Sequence, residues 1–195
     1  MNRVATLERR TSETSISVTV DLDGRGSAID TGLPFFDHML ASFALNAGCR
    51  LDISGRGDLE VDDHHLVEDC ALTIGAAVAE ALGEKRGIRR TAHAYGVLDE
   101  ALVRAVVDLS GRGYADVRLG FCREMLGGVA TENLTHFFQS LAARLGAAIH
   151  VRALSAENDH HRAEAAFKAV GRALGDAMRR TESTDVPSTK GSLTC

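Results

Sequence analysis

The strongest constraint on how this chain can fold is that it is written twice. Residues 62–68 read DDHHLVE and residues 158–164 read NDHHRAE, so an adjacent histidine pair followed by a glutamate occurs in both halves. The doubling extends well beyond these motifs. Residues 13–26, ETSISVTVDLDGRG, align with 100–113, EALVRAVVDLSGRG, and residues 38–48, HMLASFALNAG, align with 136–146, HFFQSLAARLG. Short apolar runs follow from Cys49 and Ala147, and Gly75 to Leu82 matches Gly171 to Met178 in register. Four blocks in the same order define a repeat, which must be settled before any other feature of the fold.

Each block has a physical signature. The first alternates apolar and other residues into a Gly-rich turn, as a strand entering a hairpin does. The second carries apolar residues at helical spacing and ends on Gly, which suits a helix C-terminus. The histidine motifs lead amphipathic helices of four to five turns, with Asp62, Asp63, Asn158 and Asp159 placed to cap their first free N–H groups. The expected fold is α+β, an internally duplicated pseudo-dimer. Each half has an antiparallel sheet and two helices, and the halves share a core. The first half should span residues 1–87 and the second 88–182, joined near GEKRGIRR (83–90). Residues 183–195, which lack helical periodicity and contain Pro187, form a tail.

Bulk properties narrow the function. A length of 195 residues fits one domain or two small halves sharing a core. Aromatic residues make up only 5%, with no Trp, so the core should rest on Leu, Val, Ile and Ala. A net charge of −5 argues against a nucleic-acid binder that relies on a broad basic surface. The scattered Cys49, Cys70, Cys122 and Cys195 form no CxxC pair, and neither an apolar leader nor a membrane-length run is present. A cytoplasmic protein with reduced thiols, not associated with a membrane, is expected.

Six of the eight histidines fall at matched positions: His38 with His136, His64 with His160, and His65 with His161. His93 and His150 fall outside this set and read as ordinary surface or hydrogen-bonded residues. At about 100° per residue, His64 and Glu68 share a helix face and can grip one ion, whereas His65 points about 100° away and should serve another. This predicts two pseudo-equivalent metal sites, one from His38, His64, Glu68 and His161, the other from His136, His160, Glu164 and His65. Imidazoles with one carboxylate and no thiolate favour Mn, Fe, Co or Zn. Four protein ligands leave octahedral positions open, which favours Mn or Fe and a catalytic role. Two divalent ions against two carboxylates would attract an anionic substrate. Arg112 in a Gly-flanked turn (repeat partner Arg25), Lys168 one turn beyond Glu164, and the tail segment PSTKG are candidate anion contacts. Glu13 and Glu100, at the heads of the matched strands, are the spare carboxylates available as a base.

With these pieces assembled, the chain resembles the imidazoleglycerol-phosphate dehydratase family. The resemblance rests on RRTSETSI, GLPFFDHML, DDHHLVED, KRGIRR, LDEAL, DLSGRGY, NDHHRAEAAFKA and PSTKGSL, in order and across nearly the whole chain. It implies a duplicated fold similar to the second domain of ribosomal protein S5, two Mn²⁺ ions per active site, and a 24-subunit homo-oligomer. It further implies the metal ligands His38, His64, His65, Glu68, His136, His160, His161 and Glu164, the substrate contacts Arg90, Arg112, Lys168, Ser188 and Lys190, and Glu13 as the acid/base. The implied activity is that of a lyase of histidine biosynthesis, which dehydrates D-erythro-imidazole-glycerol phosphate to imidazole-acetol phosphate through a metal-held imidazolate. Its rivals are a dinuclear metallohydrolase acting on a small phosphorylated substrate and a non-catalytic, metal-stabilised binding module.

Overall fold

In the computed structural model of the chain, residues 3–193 are described, so Cys195 and the end of the tail lie outside them. The first half runs β1 (Val4–Arg10), β2 (Thr14–Asp21), β3 (Ile29–Asp30), α1 (Pro34–Ala47), β4 (Arg50–Gly57) and α2 (His64–Leu82). The second runs β5 (Thr91–Leu98), β6 (Ala101–Asp108), β7 (Tyr114–Arg118), α3 (Thr131–Leu145), β10 (Ala148–Ser155) and α4 (Asp159–Met178), with a small hairpin of β8 (Met125–Leu126) and β9 (Val129–Ala130) inserted before α3. The sheets have the same topology, β1-β2-β4-β3 and β5-β6-β10-β7. The leading hairpins keep the same register, with Val4 opposite Asp21 in one and Thr91 opposite Asp108 in the other. Among the described residues after Met178 no helix or strand follows, apart from an isolated bridge between Ile88 and Arg180.

Two expectations need correction. The sheets are not purely antiparallel, because β3 runs parallel to β4 and β7 parallel to β10. These edge strands are short, and β7 carries no regular alternation of buried and exposed positions, so periodicity gave no sign of them. Nor does the core rest on aliphatics alone. Phe36 from α1, Phe137 and Phe138 from α3 and Phe167 from α4 are fully buried against one another, with ring centroids 4.8–5.6 Å apart. Few aromatics suffice because they concentrate where the four helices meet, and each such contact adds about 0.5–1.5 kcal/mol beyond area burial.

The helices pair across the repeat. α2 lies on β1 and β2 and packs against α3, while α4 lies on β5 and β6 and packs against α1. Inward positions of the strands, such as Ile16, Val18 and Val20 on β2 and Val103, Ala105 and Val107 on β6, meet the helices from both sides in one continuous core. The expected C-terminal glycines hold, since Gly48 and Gly146 each adopt φ 66° after α1 and α3. α4 is seated by three glycines, and a Cβ on Gly175 would stand 2.2 Å from the Ala47 carbonyl oxygen. A Cβ on Gly96 of β5 would stand 1.9 Å from the Ala165 carbonyl oxygen, and one on Gly171 would stand 2.4 Å from the Phe43 carbonyl oxygen. Cys49 and Cys70 are buried free thiols, and burial pushes Cys49 up to about 11.

Gly171→Ala gains about 1 kcal/mol of helix propensity but forces α4 away from α1, and overpacking of this kind costs about 1–3 kcal/mol. Gly171→Ala and Gly96→Ala should therefore both lower the unfolding temperature. Gly75→Ala, whose Cβ would sit 3.0 Å from the Leu141 carbonyl oxygen, should lower it less. Thermal unfolding of the three variants measures the order.

Candidate active site

Cross-packing of the helices decides which histidines meet. α1 lies against α4, so His38 Nε2 comes within 3.1 Å of Glu164 Oε2, and His160 Nε2 lies 3.5 Å from the same oxygen. α3 lies against α2, so His136 Nε2 comes within 3.2 Å of Glu68 Oε1, with His64 Nε2 3.9 Å from Glu68 Oε2. The expected pairing is corrected here. His38 groups with His160 and Glu164 rather than with His64 and Glu68, and His136 groups with His64 and Glu68. Each helix does carry its His–Glu pair on one face, but α1 faces the helix of the other half rather than that of its own.

Within each group the candidate ligand atoms lie within 4.8 Å of one another. Donors about 2.1 Å from a common ion stand at most about 4.3 Å apart, so a small side-chain adjustment would close either group on a divalent cation. Two imidazoles and a carboxylate suit a transition ion, and both groups leave coordination positions for substrate. The residues present fit the metal that the family resemblance implies.

His65 and His161 lie on the other face of their helices, as their position beside His64 and His160 requires. His65 Nδ1 is 3.0 Å from Asp58, and His161 Nδ1 is 2.8 Å from Glu100. An ionised carboxylate only accepts, so each ring donates from Nδ1 and presents Nε2 as a lone-pair donor. The hydrogen bond from His161, reinforced by backbone N–H of Asn158, holds the Glu100 carboxyl down at about 2. The same contacts raise His161, and Asp58 raises His65. At Glu164, burial pushes the carboxyl upward, but the ammonium of Lys168 at 2.7 Å and His38 outweigh it and leave the carboxyl below its usual range.

The pseudo-symmetry breaks at the carboxylates. Glu100, in the turn between β5 and β6, is engaged by His161 and by the backbone N–H of Glu157 and Asn158. Its repeat partner Glu13 sits in the matching turn, half-exposed and 3.8 Å from His65 Nδ1, while Asp58 takes that ring's N–H. Asp58 lies in a segment between strand and His–His pair that is two residues longer than its counterpart in the second half, so comparing the halves could not reveal it. A second break lies at Asn133, whose Oδ1 is 2.9 Å from His64 Nδ1. The matching residue of the first half, Phe35, meets the His160 ring edge-on at 5.2 Å.

The helix starts are anchored differently from the expectation that all four acidic or amide residues act as caps. Asp62 and Asn158 do accept from the N–H of His64 and His160, each at 2.8 Å. Asp63 has a right-handed helical backbone, so its side chain turns away and accepts from Ala130 N at 3.0 Å. Asp159 accepts from Cys122 N and Arg123 N and pairs with buried Arg162, whose Nε has no hydrogen-bond partner.

Among the remaining candidates, Lys168 joins the second group through Glu164. Arg90 spends Nε and Nη2 on Asp108 and Nη1 on the Pro187 carbonyl, tying the tail that carries Ser188 and Lys190 to the end of β6. Arg112 is exposed in the turn after β6, where the Ser110 hydroxyl accepts from its N–H. His93 and His150 are exposed on the second sheet, as expected of residues outside the repeat.

Fold and site together define a duplicated α+β enzyme with paired His–His–Glu groups. The family model for imidazoleglycerol-phosphate dehydratase matches residues 31–174. The chain is 49% identical over 193 residues to the imidazoleglycerol-phosphate dehydratase of Salinibacter ruber, covering 98% of this chain and 96% of that protein. It is 50% identical over 196 residues to that of Methanopyrus kandleri, again covering 98% and 96%. The crystal structure of the Pyrococcus furiosus enzyme superposes with a TM-score of 0.84 at 40% identity, covering 96% of this chain and 100% of that one. The Staphylococcus aureus enzyme superposes with a TM-score of 0.83 at 33% identity, covering 91% and 99%. The chain belongs to the imidazoleglycerol-phosphate dehydratase family, hydro-lyases of histidine biosynthesis.

Removing Asp159 strands the Arg162 guanidinium, whose side chain is 9% exposed. Breaking a buried pair in this way costs about 3–5 kcal/mol. Asp159→Ala should show this loss in urea unfolding, and adding Arg162→Met should recover most of it.

Proposed function

We propose that this hydro-lyase works at a site in which each His–His–Glu group holds one divalent transition ion, with Mn²⁺ the ion the reading favours. His65 and His161, which face away from both groups of their own chain, would supply further ligands to a neighbouring copy. The active site would then be completed between subunits of a cytoplasmic homo-oligomer, as the 24-subunit assembly implied by the resemblance requires. No helix among the described residues is long and apolar enough to cross a membrane. The observation that carries the reading is the pair of near-symmetric groups, each drawing ligands from both halves. Two such groups suit a heterocycle with two nitrogen donors, and the imidazole of the substrate is one.

The reaction removes a hydroxyl from the carbon beside the ring and a proton from the next carbon. That C–H bond is not acidic by itself. Bound divalent ions would supply Lewis acidity toward the ring nitrogens and lower the N–H pKa. The chain contributes the proton transfer. The Glu13 carboxylate, unlike that of Glu100, is not committed to a histidine ring or backbone N–H groups, and it would accept the carbon-bound proton. The hydroxyl departs as water with the proton that Glu13 has taken from carbon, leaving an enol that relaxes to the ketone. Arg90, Arg112, Lys168, Ser188 and Lys190 would bind the phosphate and hold the reacting carbons in place. A dinuclear hydrolase is disfavoured because Glu68 and Glu164 belong to separate groups, so neither bridges two ions. Net negative charge disfavours a nucleic-acid-binding module.

Glu13→Gln should keep full metal content and substrate affinity while turnover falls by roughly 10²–10⁴-fold. Steady-state kinetics against imidazoleglycerol phosphate, with simple phosphate esters as the control for hydrolysis, measure this. Normal turnover in the variant would remove Glu13 from the mechanism. Chelation should abolish activity and also break the particle into smaller species in analytical ultracentrifugation. An intact large particle without metal would rule out shared ligands.

A further inference from the structure

At the ends of α1 and α4 opposite the histidines, a cavity of about 640 Å³ is lined by Arg3, Arg25, Arg172, Arg179 and Arg180. The acidic side chains in the lining are Asp23 and Asp176. Two helix C-termini, those of α1 and α4, also border it, each contributing about half a negative charge. Five guanidinium groups against these leave an excess of about two positive charges, which matches a phosphate dianion.

The duplication gives this cavity a counterpart. Arg3 precedes Val4 as Arg90 precedes Thr91, at the head of hairpins with the same register, and Arg25 is the repeat partner of Arg112. The guanidinium groups of Arg3 and Arg90 are also each held by one carboxylate and one carbonyl, although these acceptors stand at non-equivalent positions of the repeat. Arg3 places Nε and Nη2 on Asp23, at 3.1 and 2.5 Å, and Nη1 on the Met178 carbonyl at 2.7 Å. Arg90 places Nε and Nη2 on Asp108 and Nη1 on the Pro187 carbonyl. Arg25 bonds the Gly48 carbonyl through one nitrogen, Arg172 bonds Asn46, and Arg179 bonds Asp176 through Nη2. A guanidinium has five N–H donors, so these contacts orient the forks without exhausting them.

We propose that this cavity binds a phosphate group, the first-half counterpart of the phosphate contact that Arg90 and Arg112 make in the second half. The counterpart relation rests on the functional reading above, whereas the charge and size of the cavity do not. Its volume exceeds that of a phosphate ion, so the ligand is either inorganic phosphate or the phosphate end of a small ester.

The metal-loaded protein is titrated with inorganic phosphate and, separately, with glycerol 3-phosphate by isothermal calorimetry. Two binding events per chain are expected. Arg172→Gln combined with Arg179→Gln should weaken one of them roughly tenfold or more, with kcat unchanged. Should the double variant unfold, Arg179→Gln alone is the test, since that side chain is 70% exposed. Equal affinity for the two ligands identifies the phosphate group alone as what is recognised, and tighter binding of glycerol 3-phosphate identifies an ester. A single binding event in the unaltered protein, or two unaltered events in the variants, overturns the proposal. Arg112→Gln separates the two readings. If it abolishes all phosphate binding, the cavity is not a site. If it leaves turnover intact while cavity binding persists, the placement of Arg112 in the active site fails and the cavity proposal stands.

Discussion

The arrangement depends on helices packing across the repeat rather than within it. α1 rests on α4, at distances that only glycine permits at the closest crossing, and α3 rests on α2. Each His–His–Glu group therefore takes one histidine from one half and a histidine and glutamate from the other. The phenylalanine cluster at the meeting of α1, α3 and α4 fixes the same geometry from the inside. Packing and chemistry are thus one constraint, since a shift of α4 against α1 that disturbs the core also separates His38 from Glu164.

Much of this was legible in the sequence. The repeat, its strands and helices, the shared core and the six paired histidines follow from periodicity and spacing, because those signals are local. The grouping of the histidines and glutamates was not legible, since helical spacing fixes which residues of one helix share a face but says nothing about which helix lies opposite. β3, β7 and the β8–β9 hairpin were missed because strands this short or this irregularly buried have no usable period. Asp58 and Asn133 escaped for a different reason. Asn133 sits where the other repeat carries Phe35, and Asp58 in a segment two residues longer than its counterpart, so comparing the halves hides both positions.

The family assignment and the geometry meet at the two turns that carry Glu13 and Glu100. In the second half the glutamate is spent on orienting His161. In the first half Asp58 has taken over the equivalent task, and Glu13 is left beside the His65 ring without it.

That difference bears on why the two repeats are joined in one polypeptide. A non-covalent pair of identical half-length chains could form the same crossed helices and both His–His–Glu groups. Every such half, however, would have to place the same carboxylate in both turns, so a gain at one would be repeated at the other. Fusion removes this coupling. Once the halves are encoded separately along a single chain, one glutamate can remain a strut while its twin is left unengaged, with no change to the scaffold they share.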